Sequence, residues 1–222
     1  MSTIAIKEKP ILFSTSLIPP ILDGTKTVTR RVVKGCVEEA GEYSEKRWML
    51  GHMPKCPYGE AGGHLWVRET HVISVEEKPV TGRPCKKIEG DSDDCSQEWE
   101  PNLEFGDYWV PYYKATDRDM GWRKIDSDED GDNTQWSPSI HMPRWASRIT
   151  LEIVSIRVEK LQDISGPDVE REGFRHSLRC RESTKYEILK ERFAEKWDEL
   201  NKERGYSWES NPFVWRIEFK KV

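Results

Sequence analysis

The chain has 222 residues, 36 % of them hydrophobic and 34 % charged, with a formal net charge of −5. It holds no run of about 18 apolar residues, which excludes a membrane-spanning helix, and the length and composition fit one generous soluble domain. The charge is uneven: residues 88–133 carry fifteen acidic and four basic side chains, so the rest is net +6, and a nucleic-acid partner is not excluded.

The N-terminal "MSTIAIKEKPILFS" has no basic region followed by an apolar stretch and cleavage site, and predicts no signal peptide. "PILFSTSLIPPILDGTKTVTRRVV" predicts strand, short helix, strand: Ser14, Thr15 or Ser16 caps the helix, Pro19 and Pro20 fit its first turn, and Gly24 ends it. Residues 35–63 predict loop, with "CPYGEAGG" as a turn. "HLWVRETHVI" and "DYWVPYYKATD" predict strands, separated by an insertion at 75–107 and followed by another at 117–136. "SRITLEIVSIRVEKL" alternates through Ile149, Leu151 and Ile153, then changes phase to Val154, Ile156 and Val158, which predicts a bulged strand.

"SGPDVEREG" predicts a short helix capped by Ser165 and stopped by Gly173. In "YEILKERFAEKWDEL", Tyr186, Leu189, Phe193, Trp197 and Leu200 form one apolar stripe of a longer helix. The closing "PFVWRIEFKKV" alternates as a half-buried strand, with Phe213, Trp215, Ile217 and Phe219 inward. Together these elements predict an α+β domain over 1–222: a small barrel decorated with helices, or an open sheet covered by helices on one face.

Four runs raise candidate sites by residue type. "DSDEDG" at 126–131 matches the first half of a calcium loop, but its twelfth position is Ser137 rather than glutamate, so it reads as a solvated loop. Cys36, His52, Cys56 and His64 lack zinc spacing, and five widely spaced cysteines in all fit a reducing cytoplasm; no metal or cofactor is expected. "SIHMPRWASR" puts His141, Arg144, Trp145 and Arg148 into ten residues. Those side chains suit bases and phosphates, or equally a loop with Trp145 in the core. In "GTKTVTRR", Thr25, Thr27 and Thr29 share one face of a regular strand and Lys26 and Arg30 the other. Spacing by itself leaves this run a polar edge strand.

"ILDGTKTVTRR" resembles the signature of the ASCH domain, a small barrel related to PUA domains. "GEAGGHLWVRET", "SRITLEIVSIRVEKLQDIS" and "WRIEFKKV" resemble its later landmarks in the same order, and "CPYG" and "SIHMPRWASRI" resemble longer, often phage-borne members. The resemblance implies a PUA-like mixed barrel, a cleft beside the signature strand, and RNA or a modified nucleoside as ligand. In members that hydrolyse the amide of acetylated cytidine, the matching positions are Lys26, Thr29 and Glu172. A threonine hydroxyl needs a base to become nucleophilic, and a lysine serves only if burial or nearby cations lower its pKa. Arg30 and Arg31 are candidate cations. Glu172 near a helix C-terminus is unfavourable by about 0.3–1 kcal/mol, which hints at a role.

The resulting expectation is a cytoplasmic protein whose Lys/Thr/Glu cleft binds RNA or a modified nucleoside, with hydrolysis of the amide of acetylated cytidine as the activity such a cleft could support. The alternatives are a non-catalytic RNA-binding module using Arg30, Arg31, Arg144, Trp145, Arg148 and His141; a metal-independent ribonuclease; and a phage accessory or assembly factor whose acidic insertion meets a protein partner.

Overall fold

Pro19 and Pro20 fall in the opening turn of a five-residue helix, α1 (Ile18–Leu22), where a missing backbone N–H breaks no helical bond. A 3-10 turn at Thr15–Leu17 joins it to strand β1 (Glu8–Leu12). Gly24, at φ +77°, then turns the chain toward β2 (Val28–Val32). The structure is a computed structural model that describes residues 7–34, 55–76, 83–87, 108–117, 136–175 and 182–222. Cys36, His52, the acidic loop 126–131 and most of the two expected insertions lie outside the described residues.

The later strands are β3 (His64–Arg68), β4 (His71–Glu76), β5 (Lys86–Lys87), β6 (Tyr108–Tyr113), β7 (Thr150–Lys160) and β8 (Phe213–Lys221). Two further helices, α2 (Gly166–Arg171) and α3 (Glu182–Asn201), lie between β7 and β8. The fold is α+β. One sheet has the order β1-β3-β7-β8-β2, the other β4-β6-β5. The run "HLWVRETHVI" is therefore not one strand: it breaks at Glu69 and Thr70, and its two halves enter different sheets. Glu69 is 1 % exposed: its carboxylate takes Arg148, and its backbone N–H donates to Met142 Sδ (3.2 Å) instead of a strand partner. No helix among the described residues is long and apolar enough to cross a membrane.

The chain divides into two compact units. The first comprises Met1–Lys9, Pro20–Leu65 and Leu151–Val222. There α2 and α3 pack on the sheet through a cluster of Leu161, Ile164, Val169, Leu189, Phe193, Trp197 and Val214. Most of the apolar stripe of α3 is in it; Leu200, at 40 % exposure, is not. The bulge in β7 falls at the change of phase: Ile153 pairs with Phe219, Ser155 with Glu218, and Val154 has no partner in the register. The extra residue keeps Ile153 and Ile156 on one face and turns Ser155, Arg157 and Glu159 to the other.

β8 is not half-buried. Val214, Trp215, Arg216 and Ile217 are all within 4 % of full burial, because α2 covers the face bearing Arg216. A central strand covered on both faces still alternates, but here the alternation separates apolar side chains from buried charge.

The second unit comprises Pro10–Pro19 and Trp66–Thr150. Its described part centres on β4 and β6, with Tyr113, Met142 and Ala146 buried together and Trp145 packed against them.

Candidate functional site

Lys26 lies in the extended segment between Gly24 and β2, outside the strand. Its N–H donates to the Pro20 carbonyl (2.8 Å), and that of Thr27 donates to the Arg171 carbonyl (2.9 Å). These bonds pin the segment between the C-terminal ends of α1 and α2. The Lys26 side chain consequently leaves the alternation of β2 and turns inward. Its Nζ donates to the Val28 carbonyl (2.8 Å), the Glu172 carbonyl (2.9 Å) and Glu172 Oε2 (2.6 Å). All three ammonium donors are thus satisfied at 2 % exposure.

Glu172 arrives from the other side of the sequence. It is the C-cap of α2, a helix started by Ser165, whose Oγ accepts from the Asp168 N–H (3.3 Å). Gly173 follows at φ +96°; a Cβ there would stand 3.1 Å from Pro20 Cβ and 3.4 Å from Lys26 Cβ. We expect Gly173→Ala to cost about 1–2 kcal/mol from the left-handed backbone, and more from the contact with Pro20. A lowered urea midpoint would register it.

Beside this pair the sheet register lines up three arginines. Arg30 of β2 is opposite Arg216 of β8, which is opposite Arg157 of β7. Like charges across adjacent strands repel. Asp168, one turn before Glu172 on α2, lies over the row. Its carboxylate accepts Arg216 Nε (2.7 Å) and Nη2 (2.9 Å) and Arg30 Nη2 (2.8 Å), with Arg157 Nη2 at 3.8 Å. Arg30 spends its other nitrogens on Glu159 Oε1 (2.8 Å from Nε) and Glu172 Oε1 (3.0 Å from Nη1). The Glu172 carboxylate is therefore shared, one oxygen to Arg30 and the other to Lys26.

Titration behaviour follows from this geometry. Burial pulls Lys26 below the ordinary lysine range; Glu172 opposes the shift, and Arg31 and Arg30 add to it. Hydrogen bonds from Arg216, then Arg30, hold the Asp168 carboxyl well below the usual range despite burial. Burial works against the charge of Arg30, but Glu172, Glu159 and Asp168 outweigh it and raise its pKa. Glu218, bonded by Arg171 and Arg216, is lowered as well.

Thr29 is 3 % exposed and stands opposite Ile217, on the face of β2 away from Arg30. Among the described residues its hydroxyl has no hydrogen-bond partner. Lys26 Nζ holds the carbonyl of the peptide that joins Val28 to Thr29. Arg31 is half-buried on the same face as Thr29, opposite Trp215.

The remaining candidates belong to the second unit. Arg148 donates from Nε and Nη2 to the two oxygens of Glu69 (2.9 and 2.8 Å) and lies 3.9 Å over the Tyr113 ring, so it is committed within that unit. Trp145 is half-buried. His141 and Arg144 are exposed, Arg144 with its guanidinium 5.8 Å from the Trp66 ring centre.

Sequence reasoning missed Asp168, Arg216, Glu159 and Glu218. Two signals bore on them: Asp168 and Glu172 are four apart on one helix, and Arg216 interrupts an apolar strand.

No family model and no curated protein matches the chain. Among solved structures it is similar to the crystal structure of the ASCH domain from Lactobacillus crispatus JV V101. The two are 11 % identical over 97 % of this chain and 79 % of that chain, with a TM-score of 0.36.

Proposed function

We propose that this chain is an ASCH-type protein that binds RNA or a modified nucleoside. In this reading Lys26, Thr29 and Glu172 hydrolyse the amide of acetylated cytidine. The observation that carries the reading is the buried 2.6 Å pair between Lys26 and Glu172, residues 146 positions apart that the signature resemblance singles out together.

Lys26, in its neutral form and with one of its three contacts released, takes the proton of the Thr29 hydroxyl through one bridging water as Thr29 Oγ adds to the acetyl carbonyl. The C–N bond breaks and the amino group of cytidine leaves with that proton. Water then releases acetate and restores the hydroxyl. The lowered pKa of Lys26 supports a base role, since an ordinary lysine is almost entirely cationic at neutral pH. Glu172 orients the lysine.

Purified full chain incubated with acetylated cytidine, without added metal, should release cytidine and acetate, and Thr29→Ala should abolish the release. No turnover by wild type, or undiminished turnover by Thr29→Ala, would overturn this assignment.

A second reading, an RNA-binding surface on the other unit, is favoured by the exposure of His141 and Arg144 on a segment free of acidic residues from 137 to 151. It expects affinity for single-stranded RNA that weakens with salt and drops in Arg144→Ala.

A further inference from the structure

We propose that Asp168 is a positioning residue for the Lys26–Glu172 pair: clamped by Arg216, it fixes Arg30 so that Arg30 occupies one oxygen of Glu172 and leaves Lys26 the other. The inference rests on reading Lys26 as the base, and it supplies what that reading lacks, a device that sets the lysine's protonation.

The chain of contacts is continuous and each link is short. Arg216 grips Asp168 with two parallel bonds from Nε and Nη2, a geometry that fixes a carboxylate in direction as well as in charge. Asp168 Oδ2 then takes Arg30 Nη2 at 2.8 Å, and Arg30 Nη1 takes Glu172 Oε1 at 3.0 Å. Lys26 is left with Glu172 Oε2. Asp168 makes no hydrogen bond to the Lys26 or Glu172 side chains, so its hydrogen-bonded route to the pair runs through Arg30, and only its charge acts on them directly. Charges facing these groups come from every neighbouring element. Arg31 is on β2 with Arg30, Glu159 and Arg157 are on β7, Glu218 is beside Arg216 on β8 (3.1 Å), and Arg171 on α2 approaches Asp168 Oδ1 at 3.6 Å.

Two effects of removing the Asp168 charge have opposite signs. Losing an anion by itself makes nearby cations less stable, which would lower the pKa of Lys26. Releasing Arg30 from its anchor withdraws a cation from Glu172 and returns that carboxylate to Lys26, which raises it. The relay predicts the second.

The test follows the Lys26 side chain by NMR in the full chain labelled at lysine Cε, titrated without substrate. In Asp168→Asn the Lys26 titration should move to higher pH by at least about half a unit, roughly threefold in proton affinity. Arg216→Lys keeps the charge but cannot form the two-pronged clamp, and should move it in the same direction. A downward or absent shift in Asp168→Asn overturns the proposal. If that variant does not fold, an unchanged titration in Arg216→Lys overturns it. Because no substrate is present, the outcome is independent of whether acetylated cytidine is turned over.

Discussion

Asp168→Ala should destabilise the first unit by about 3–5 kcal/mol, the range for stripping one partner from a buried, hydrogen-bonded ion group. Asp168 is 6 % exposed and bonds two arginines that are themselves 4 % and 3 % exposed. Without it, three arginines stand side by side across β2, β8 and β7 with their shared counter-charge gone. Glu159, Glu172 and Glu218 still neutralise part of that row, which places the effect within the range and not beyond it.

The pH dependence supplies a second reading of the same group. The pKa of Asp168 is lowered in the fold, so its stabilisation is complete above the unfolded value of about 3.9 and is lost as pH falls through the lower folded value. Urea unfolding at pH 7 and pH 3 should therefore show a smaller difference between wild type and Asp168→Ala at the acid end.

Lys26→Met should lower acetylated-cytidine turnover by about 10²–10⁴-fold, the usual contribution of a positioned base. Methionine keeps most of the aliphatic volume, so the loss reports the amine. The wild-type rate should rise with pH along a limb centred below the ordinary lysine value of about 10.4, because burial favours the neutral amine. Glu172→Gln should move that limb lower still, since the Glu172 charge is what opposes the burial effect. A limb that stays near 10.4, or moves upward in Glu172→Gln, contradicts the assignment of Lys26 as base. The stability cost of Lys26→Met should be about 3–5 kcal/mol, since Glu172 Oε2 loses its buried counter-ion and the carbonyls of Val28 and Glu172 lose a buried donor.

Local pattern carried much of this fold. The change of phase at Ile153 and Val154 located the bulge of β7 because side-chain alternation is a local property of the backbone. Ser165 and Gly173 bounded α2 for the same reason: capping oxygens and positive φ act within a few residues. Pattern was less informative where burial depended on a distant segment. Arg216 reads as an outward residue of an amphipathic strand, and Glu69 as a mid-strand charge. Their burial follows from Asp168 and Arg148, 48 and 79 residues away.

The candidate site divides along the same line. Local sequence placed a turn at Gly24 and a strand after it, and the signature resemblance grouped Lys26, Thr29 and Glu172. That Lys26 leaves the strand, pairs with Glu172 and shares it with an arginine row held by Asp168 came from long-range packing. The reason is physical. A buried charge is tolerated only where opposite charges converge on it from other elements, and that convergence is set by sheet register and helix packing, which no local spacing encodes.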